Sequence, residues 1–174
     1  VAWHRQESGD SWSTTTLTND AVGAHSVVAS DVDGDADMDV IAGTSEGVIW
    51  LENPSWTRRV INPSEVVLDV AAADIDGDGD VDIVSASFNE GAIHLHENSG
   101  DATFLTTLIS SDGGGAYSVA VADVDNDGVM DILSCGWLSG GVYSHVQRDG
   151  WLTEELWASA TGANSVWAAD VNGD

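Results

Sequence analysis

The sequence predicts an all-β chain built from repeats of one four-stranded unit, and three observations carry that prediction. Acidic segments, nine residues long in the three complete copies, recur at a near-constant spacing, their first Asp falling at 31, 74, 123 and 170. Small-residue, β-branched and aromatic runs recur in the same order around each of them. No stretch shows the apolar period of a helix. Steps of 43, 49 and 47 residues lie in the range of a propeller or a related repeat array.

The first strand of the unit is rich in small residues and occupies 24–30, 67–73, 116–122 and 163–169. Val27, Val70, Val119 and Val166 hold the same place in it, four residues before the first Asp. Small side chains suit the crowded position where units converge on an axis. The acidic segment follows as a loop. After each complete loop comes a β-branched run (Val40-Ile-Ala, Ile83-Val-Ser-Ala-Ser, Ile132-Leu-Ser) that ends in a Gly-containing turn. The third strand opens at Gly47, Gly91 or Gly141. A polar hairpin then leads to a fourth strand headed by Trp12, Trp56, Phe104 or Trp151, with Leu17, Ile61, Ile109 or Leu156 five residues on. That aromatic and aliphatic pair is expected to pack between units.

Four short strands per repeat, with turn residues between them, describe propeller blades of four antiparallel strands with an acidic loop between strands 1 and 2. The whole of 1–174 is expected to be a partial, open propeller segment. Within it, 1–18 supplies strands 3 and 4 of a blade, 24–63, 67–110 and 116–158 are blades, and 163–174 is strand 1 of a further one. Joining the two ends would make a composite blade without strand 2. The chain is therefore expected to be an excerpt of a longer protein, or a protomer whose open edges another chain covers.

Charge narrows the function classes. Thirty acids against four Arg and no Lys give a formal −26, which excludes partners that need a basic footprint, such as nucleic acid or an anionic membrane surface. A hydrophobic share of 43% with eight Trp is too high for a disordered acidic tail. No apolar run approaches the roughly 20 residues of a membrane span. The single Cys135 cannot form an intrachain disulfide.

Sixteen of the thirty acids lie in the four loops. Carboxylates at positions 1, 3, 5 and 9 of a tight turn, with Gly at position 4 or 6, are hard-cation chemistry. Ca²⁺ takes six to eight oxygens from such carboxylates, a backbone carbonyl and water. The expected ligands of the first site are Asp31, Asp33, Asp35 and Asp39 with the carbonyl of Asp37. The second uses Asp74, Asp76, Asp78 and Asp82 with that of Asp80. The third uses Asp123, Asp125, Asp127 and Asp131 with that of Val129. The fourth loop keeps only Asp170, Asn172 and Asp174. Zn²⁺ would want His or Cys, and Mg²⁺ a stricter octahedron. Three filled loops would reduce the net charge to about −20.

With these loops, and with Ser85-Ala-Ser-Phe-Asn-Glu-Gly and Trp50-Leu-Glu-Asn, the chain resembles the FG-GAP/VCBS repeat family, the calcium-loop propellers similar to the head of integrin α subunits. The Phe-Gly and Gly-Ala-Pro signatures are absent, so the likeness is to the bacterial and archaeal VCBS variety. The resemblance implies a secreted or cell-surface setting and a stabilising role for calcium. It does not imply one activity.

With the acidic loops on one face, the turns after strand 2 and the connections into strand 1 share the other. There Phe88, Trp137, His25, Tyr117 and Asn164 are candidate contacts for a carbohydrate or protein ligand, aromatic faces beside polar groups suiting either. Phe88 also reads as a blade-packing aromatic. Catalysis finds little support: the five His are scattered, and His94 and His96 share one strand face at a weak metal-ligand spacing. The expected function is a non-catalytic, calcium-binding segment serving adhesion, carbohydrate or protein binding, or extracellular assembly. The alternative is the propeller part of a lyase-like carbohydrate-active enzyme whose catalytic residues lie partly outside this chain.

Overall fold

A computed structural model describes residues 1–63, 66–111, 114–138 and 140–171. Fourteen strands form four antiparallel sheets, and the described residues contain no helix. The first sheet pairs β1 (Ala2–Gln6) with β2 (Trp12–Thr16). The next three are four-stranded, with neighbours in chain order. They comprise β3 (Ser26–Ser30), β4 (Asp39–Thr44), β5 (Gly47–Glu52) and β6 (Thr57–Asn62); then β7 (Val67–Ala73), β8 (Asp82–Ser87), β9 (Ala92–Asn98) and β10 (Phe104–Ser110); then β11 (Ala116–Ala122), β12 (Asp131–Gly136), β13 (Val142–Arg148) and β14 (Gly150–Trp157). These are blades one, two and three of an open propeller.

Burial follows position in the blade. The second strands β8 and β12 are buried at every residue, as is most of β4, because both of their faces meet other parts of the protein. The fourth strand lies at the outer edge, and β14 exposes most of its residues. The first strands lie innermost, and hydrogen bonds join them from blade to blade. Asp69 of β7 accepts the Ser26 hydroxyl of β3 at 2.7 Å, and the Ser118 hydroxyl and Val119 N–H of β11 at 2.8 and 3.1 Å. Small strand-1 side chains permit that approach. Gly43 of β4 serves the same end, since a Cβ there would press on Val67 of the next blade.

The cores lie between sheets rather than within them, and the strand-4 pair builds them as expected. Leu17 after β2 and Trp56 before β6 share one cluster with Ile49 and Leu51. Ile61 of β6 and Phe104 of β10 flank the next, with Ile41, Trp50, Val67 and Ile83. Ile109 of β10 and Trp151 of β14 flank the third, with Ile75, Val84, Leu95 and Ile132. Each interface thus takes the aliphatic residue from one sheet and the aromatic from the next. The terminal members of the series, Trp12 and Leu156, are exposed.

One element departs from expectation. Strand 1 of a further blade is predicted over 163–174, yet residues 163–170 carry no strand ladder. The Val166 N–H reaches Ser118 Oγ at 3.3 Å, so the segment runs beside β11 as a next inner strand would. A ladder requires a strand-2 partner, and none pairs with it among the described residues. Residues 172–174 lie outside them.

Candidate metal centres and ligand face

Each acidic loop joins the end of strand 1 to the start of strand 2, and its backbone makes the same turn three times. Positions 4 and 6 take left-handed φ in every loop: Gly34 and Ala36, Gly77 and Gly79, Asn126 and Gly128. The reversal lets short carboxylates bond to amides two to five residues on. Asp31 accepts from the Ala36 N–H, Asp74 from Gly77 and Gly79, and Asp123 from Asp127 and Gly128. Asp35, Asp78 and Asp127 accept from the position-7 amides of Asp37, Asp80 and Val129.

The outcome is convergence of the first, third and fifth carboxylates. One oxygen from each of Asp31, Asp33 and Asp35 lies within 4.8 Å of the others, and the same holds for Asp74, Asp76 and Asp78 and for Asp123, Asp125 and Asp127. The donors are all oxygens, which fits a hard cation such as Ca²⁺ and not a thiophilic one. A further observation supports the fit: Asp31 Oδ1 is buried with no hydrogen-bond partner. Burial, then Asp39 and Asp35, raise the Asp33 carboxyl above its ordinary value.

The ninth carboxylate sits differently. Asp39, Asp82 and Asp131 are fully buried, and both oxygens of each take backbone N–H groups. One donor is position 2 of the loop (Val32, Ile75 or Val124), and the other is a residue at the end of strand 3 or just beyond it (Asn53, Asn98 or Gln147). These residues rivet the loop to strand 3. Burial raises the Asp82 carboxyl despite the lowering effect of its Asn98 and Ile75 amide bonds. In the fourth loop Asp170 is exposed, while Asn172 and Asp174 lie outside the described residues.

At the opposite end of the strands, the turns after strand 2 bond to the connections entering strand 1. Ser45 N–H donates to Val22, Phe88 to Val66, and Trp137 to Gly115. Three of the five candidate ligand residues meet there across the boundary of blades two and three. Phe88 and Tyr117 pack edge to face with centroids 6.3 Å apart, and Tyr117 and Trp137 lie 5.7 Å apart at 34°. Gly115 is required beside them, because its φ is +62° and a Cβ would crowd Phe88 and Leu138. Trp137 and Leu138 are 44% and 69% exposed, giving this face an apolar, open tip. His25 instead lines a cleft of about 480 Å³ with Trp3, Trp56 and Val27, between the two-stranded sheet and blade one. Asn164 lies exposed on the unpaired segment.

Two groups of polar residues escape the sequence reading. Asp69 is one, with its four accepted bonds from Ser26, Val70, Ser118 and Val119. The other is a cross-strand relay in which a buried His joins Ser of strand 2 to Thr of strand 4. His96 shares hydrogen bonds with Ser85 at 3.0 Å and Thr106 at 2.9 Å, and His145 with Ser134 at 2.8 Å and Thr153 at 2.9 Å. His4 and Thr14 repeat the outer half of it at 3.0 Å. His94 stays outside the relay and faces Glu90 at 4.0 Å. A shared register was the available signal: each of these three His stands opposite a Thr.

Comparisons with known proteins agree with this architecture. Residues 74–134, spanning most of blade two, its acidic loop and the start of blade three, match the FG-GAP-like repeat family. No curated protein matches the sequence. The fold is similar to a solved structure described as the basis of specific recognition of non-reducing terminal N-acetylglucosamine by an Agrocybe aegerita lectin, with a TM-score of 0.59 and 18% identity. The match covers 92% of this chain and 47% of that one, so the chain spans about half the length of the lectin.

Proposed function

We propose that this chain is a calcium-stabilised, non-catalytic propeller segment that binds carbohydrate on the face away from its acidic loops, in a secreted or cell-surface setting. The observation that carries the binding reading is the aromatic run Phe88–Tyr117–Trp137, which crosses a blade boundary and ends in an exposed indole. An exposed aromatic edge held by half-buried neighbours offers a flat apolar surface for the C–H face of a sugar ring at small entropic cost. The lectin likeness supports the same ligand class, and glycans ending in N-acetylglucosamine are the first to try.

In this reading the loops supply rigidity. A bound divalent cation contributes charge neutralisation at the converged carboxylates. The position-1, -3 and -5 residues of each loop would hold it, the amide bonds to those residues keep their carboxylates aimed, and the ninth Asp keeps the loop seated on strand 3. Millimolar calcium outside cells suits sites of this kind, which agrees with the secreted setting. No described helix is long and apolar enough to cross a membrane.

The test is binding to immobilised glycans in calcium buffer. Retention on N-acetylglucosamine-terminated glycans, lost by more than about tenfold in Trp137→Ala and kept in Asp76→Asn, supports the reading. Retention that Trp137→Ala leaves untouched, or binding to no glycan, removes it.

A further inference from the structure

The three acidic loops share a backbone, but one of them holds a cation of its own. Arg148 Nη2 donates to Asp125 Oδ2 at 2.9 Å, and Asp125 is the position-3 carboxylate of the third loop. Asp127 of the same triad and Glu154 add to the negative field around this guanidinium. The strand register shows that the other loops lack an equivalent. Asn53, Asn98 and Gln147 occupy one place, each giving its N–H to a ninth-position Asp. The next residues are therefore equivalent, and they are Pro54, Ser99 and Arg148. The remaining Arg side chains pair with acids outside the triads: Arg5 with Glu7, Arg58 with Glu46 and Arg59 with Glu52.

We propose that Arg148 is a tethered counter-cation that competes with the metal for the third loop, making this site the weakest of the three and the one that responds to changes in calcium concentration. The inference rests on the calcium reading of the loops. Its physics is direct. A carboxylate that already accepts a guanidinium has part of its charge neutralised, and an incoming divalent ion must displace that bond or bind beside a like charge. Without the ion, the same guanidinium relieves repulsion among Asp123, Asp125 and Asp127. Arg148 therefore lowers the difference between the empty and filled states of this loop alone. Its side chain is 63% exposed, so it is free to leave and return without unfolding the blade.

Calcium titration calorimetry on the full chain, with Arg148→Gln and Arg148→Glu beside it, tests this. The expected result is two tighter sites and one weaker site, with the weaker one tightened about three- to tenfold in Arg148→Gln and further in Arg148→Glu. In an Asp127→Asn background the Arg148→Gln change should have no effect on the two remaining affinities. Melting gives a second readout, in which Arg148→Gln should lower the midpoint in chelator and widen the gap between the midpoints in chelator and in calcium. Calcium uptake at three sites that Arg148→Gln leaves unchanged or weakens overturns the inference and leaves the calcium reading intact. No calcium uptake by any variant overturns both.

Discussion

Asp69 Oδ2 accepts the Ser118 hydroxyl at 2.8 Å across the boundary of the second and third blades. With the other carboxylate oxygen on Ser26 of the first blade, one side chain fastens the inner strands of three blades. Stability in a repeat array is a sum of unit and nearest-neighbour interface terms, so a residue serving two interfaces carries more than its share. The equivalent places in blades one and three hold Ser26 and Ser118, which are too short to reach both ways.

Asp69→Ala should therefore cost about 2–4 kcal/mol in urea unfolding, because two hydroxyls and the Val70 and Val119 N–H groups lose their acceptor. Asp69→Ser, which copies the neighbouring blades, should recover part of that loss. Equal stability of all three proteins would show that the clasp is incidental.

The His96 relay predicts an acid-labile second blade. Burial, reinforced by His94, lowers the His96 pKa from 6.5 to about 4. The unfolded chain therefore binds a proton that the folded chain refuses, and this contribution is complete above pH 6.5 and lost as pH falls towards 4. About 3 kcal/mol is at stake over the whole window, with about 2 kcal/mol gone by pH 5. In the first blade Ala42, Leu51 and Arg58 occupy the register of Ser85, His96 and Thr106. The Ser85→Ala/His96→Leu pair, which copies Ala42 and Leu51, should flatten the acid limb of a stability–pH curve measured in chelator. An unchanged limb would place the acid sensitivity elsewhere.

Loop strain gives a third prediction. Ala36 holds φ +73° at a position filled by Gly79 and Gly128 in the sister loops. Ala36→Gly should stabilise the metal-free protein by about 1 kcal/mol, and Gly79→Ala should destabilise it by a similar amount. No side chain lies within 4 Å of a Cβ built at Gly79, so the second effect is backbone strain and not a clash. Opposite signs in chemical denaturation are the expected reading, and matching signs would contradict the account.

Much of the fold was legible because the repeat makes each blade a control for the others. Val27, Val70 and Val119 marked the inner strands, the aromatic and aliphatic pair marked the interfaces, and Asp at alternate positions marked the loops. Asp69 was hidden because its partners lie 43 and 49 residues away and a lone Asp in a small-residue strand has no local pattern. Residues 163–170 are expected as a strand because they repeat the inner-strand pattern with Val166 in register, whereas a strand exists only with a ladder partner. The ninth-position Asp residues were expected beside Asp31, Asp74 and Asp123 as ligands. Spacing could not reveal that Asn53, Asn98 and Gln147 would bring amides to them. At the candidate ligand face, Phe88, Tyr117 and Trp137 converge because the turn after strand 2 bonds to the entry of strand 1. His25 and Asn164 sit on different surroundings of the same strand position.

The most direct measurement is the thermal unfolding midpoint of the full chain in 10 mM calcium and in excess chelator. Each loop that fills at a hundred times its dissociation constant should add about 2.7 kcal/mol, so calcium should raise the midpoint well beyond the scatter of repeat melts, and magnesium much less. Superimposable melts in calcium and chelator would contradict the calcium-stabilised propeller at its centre.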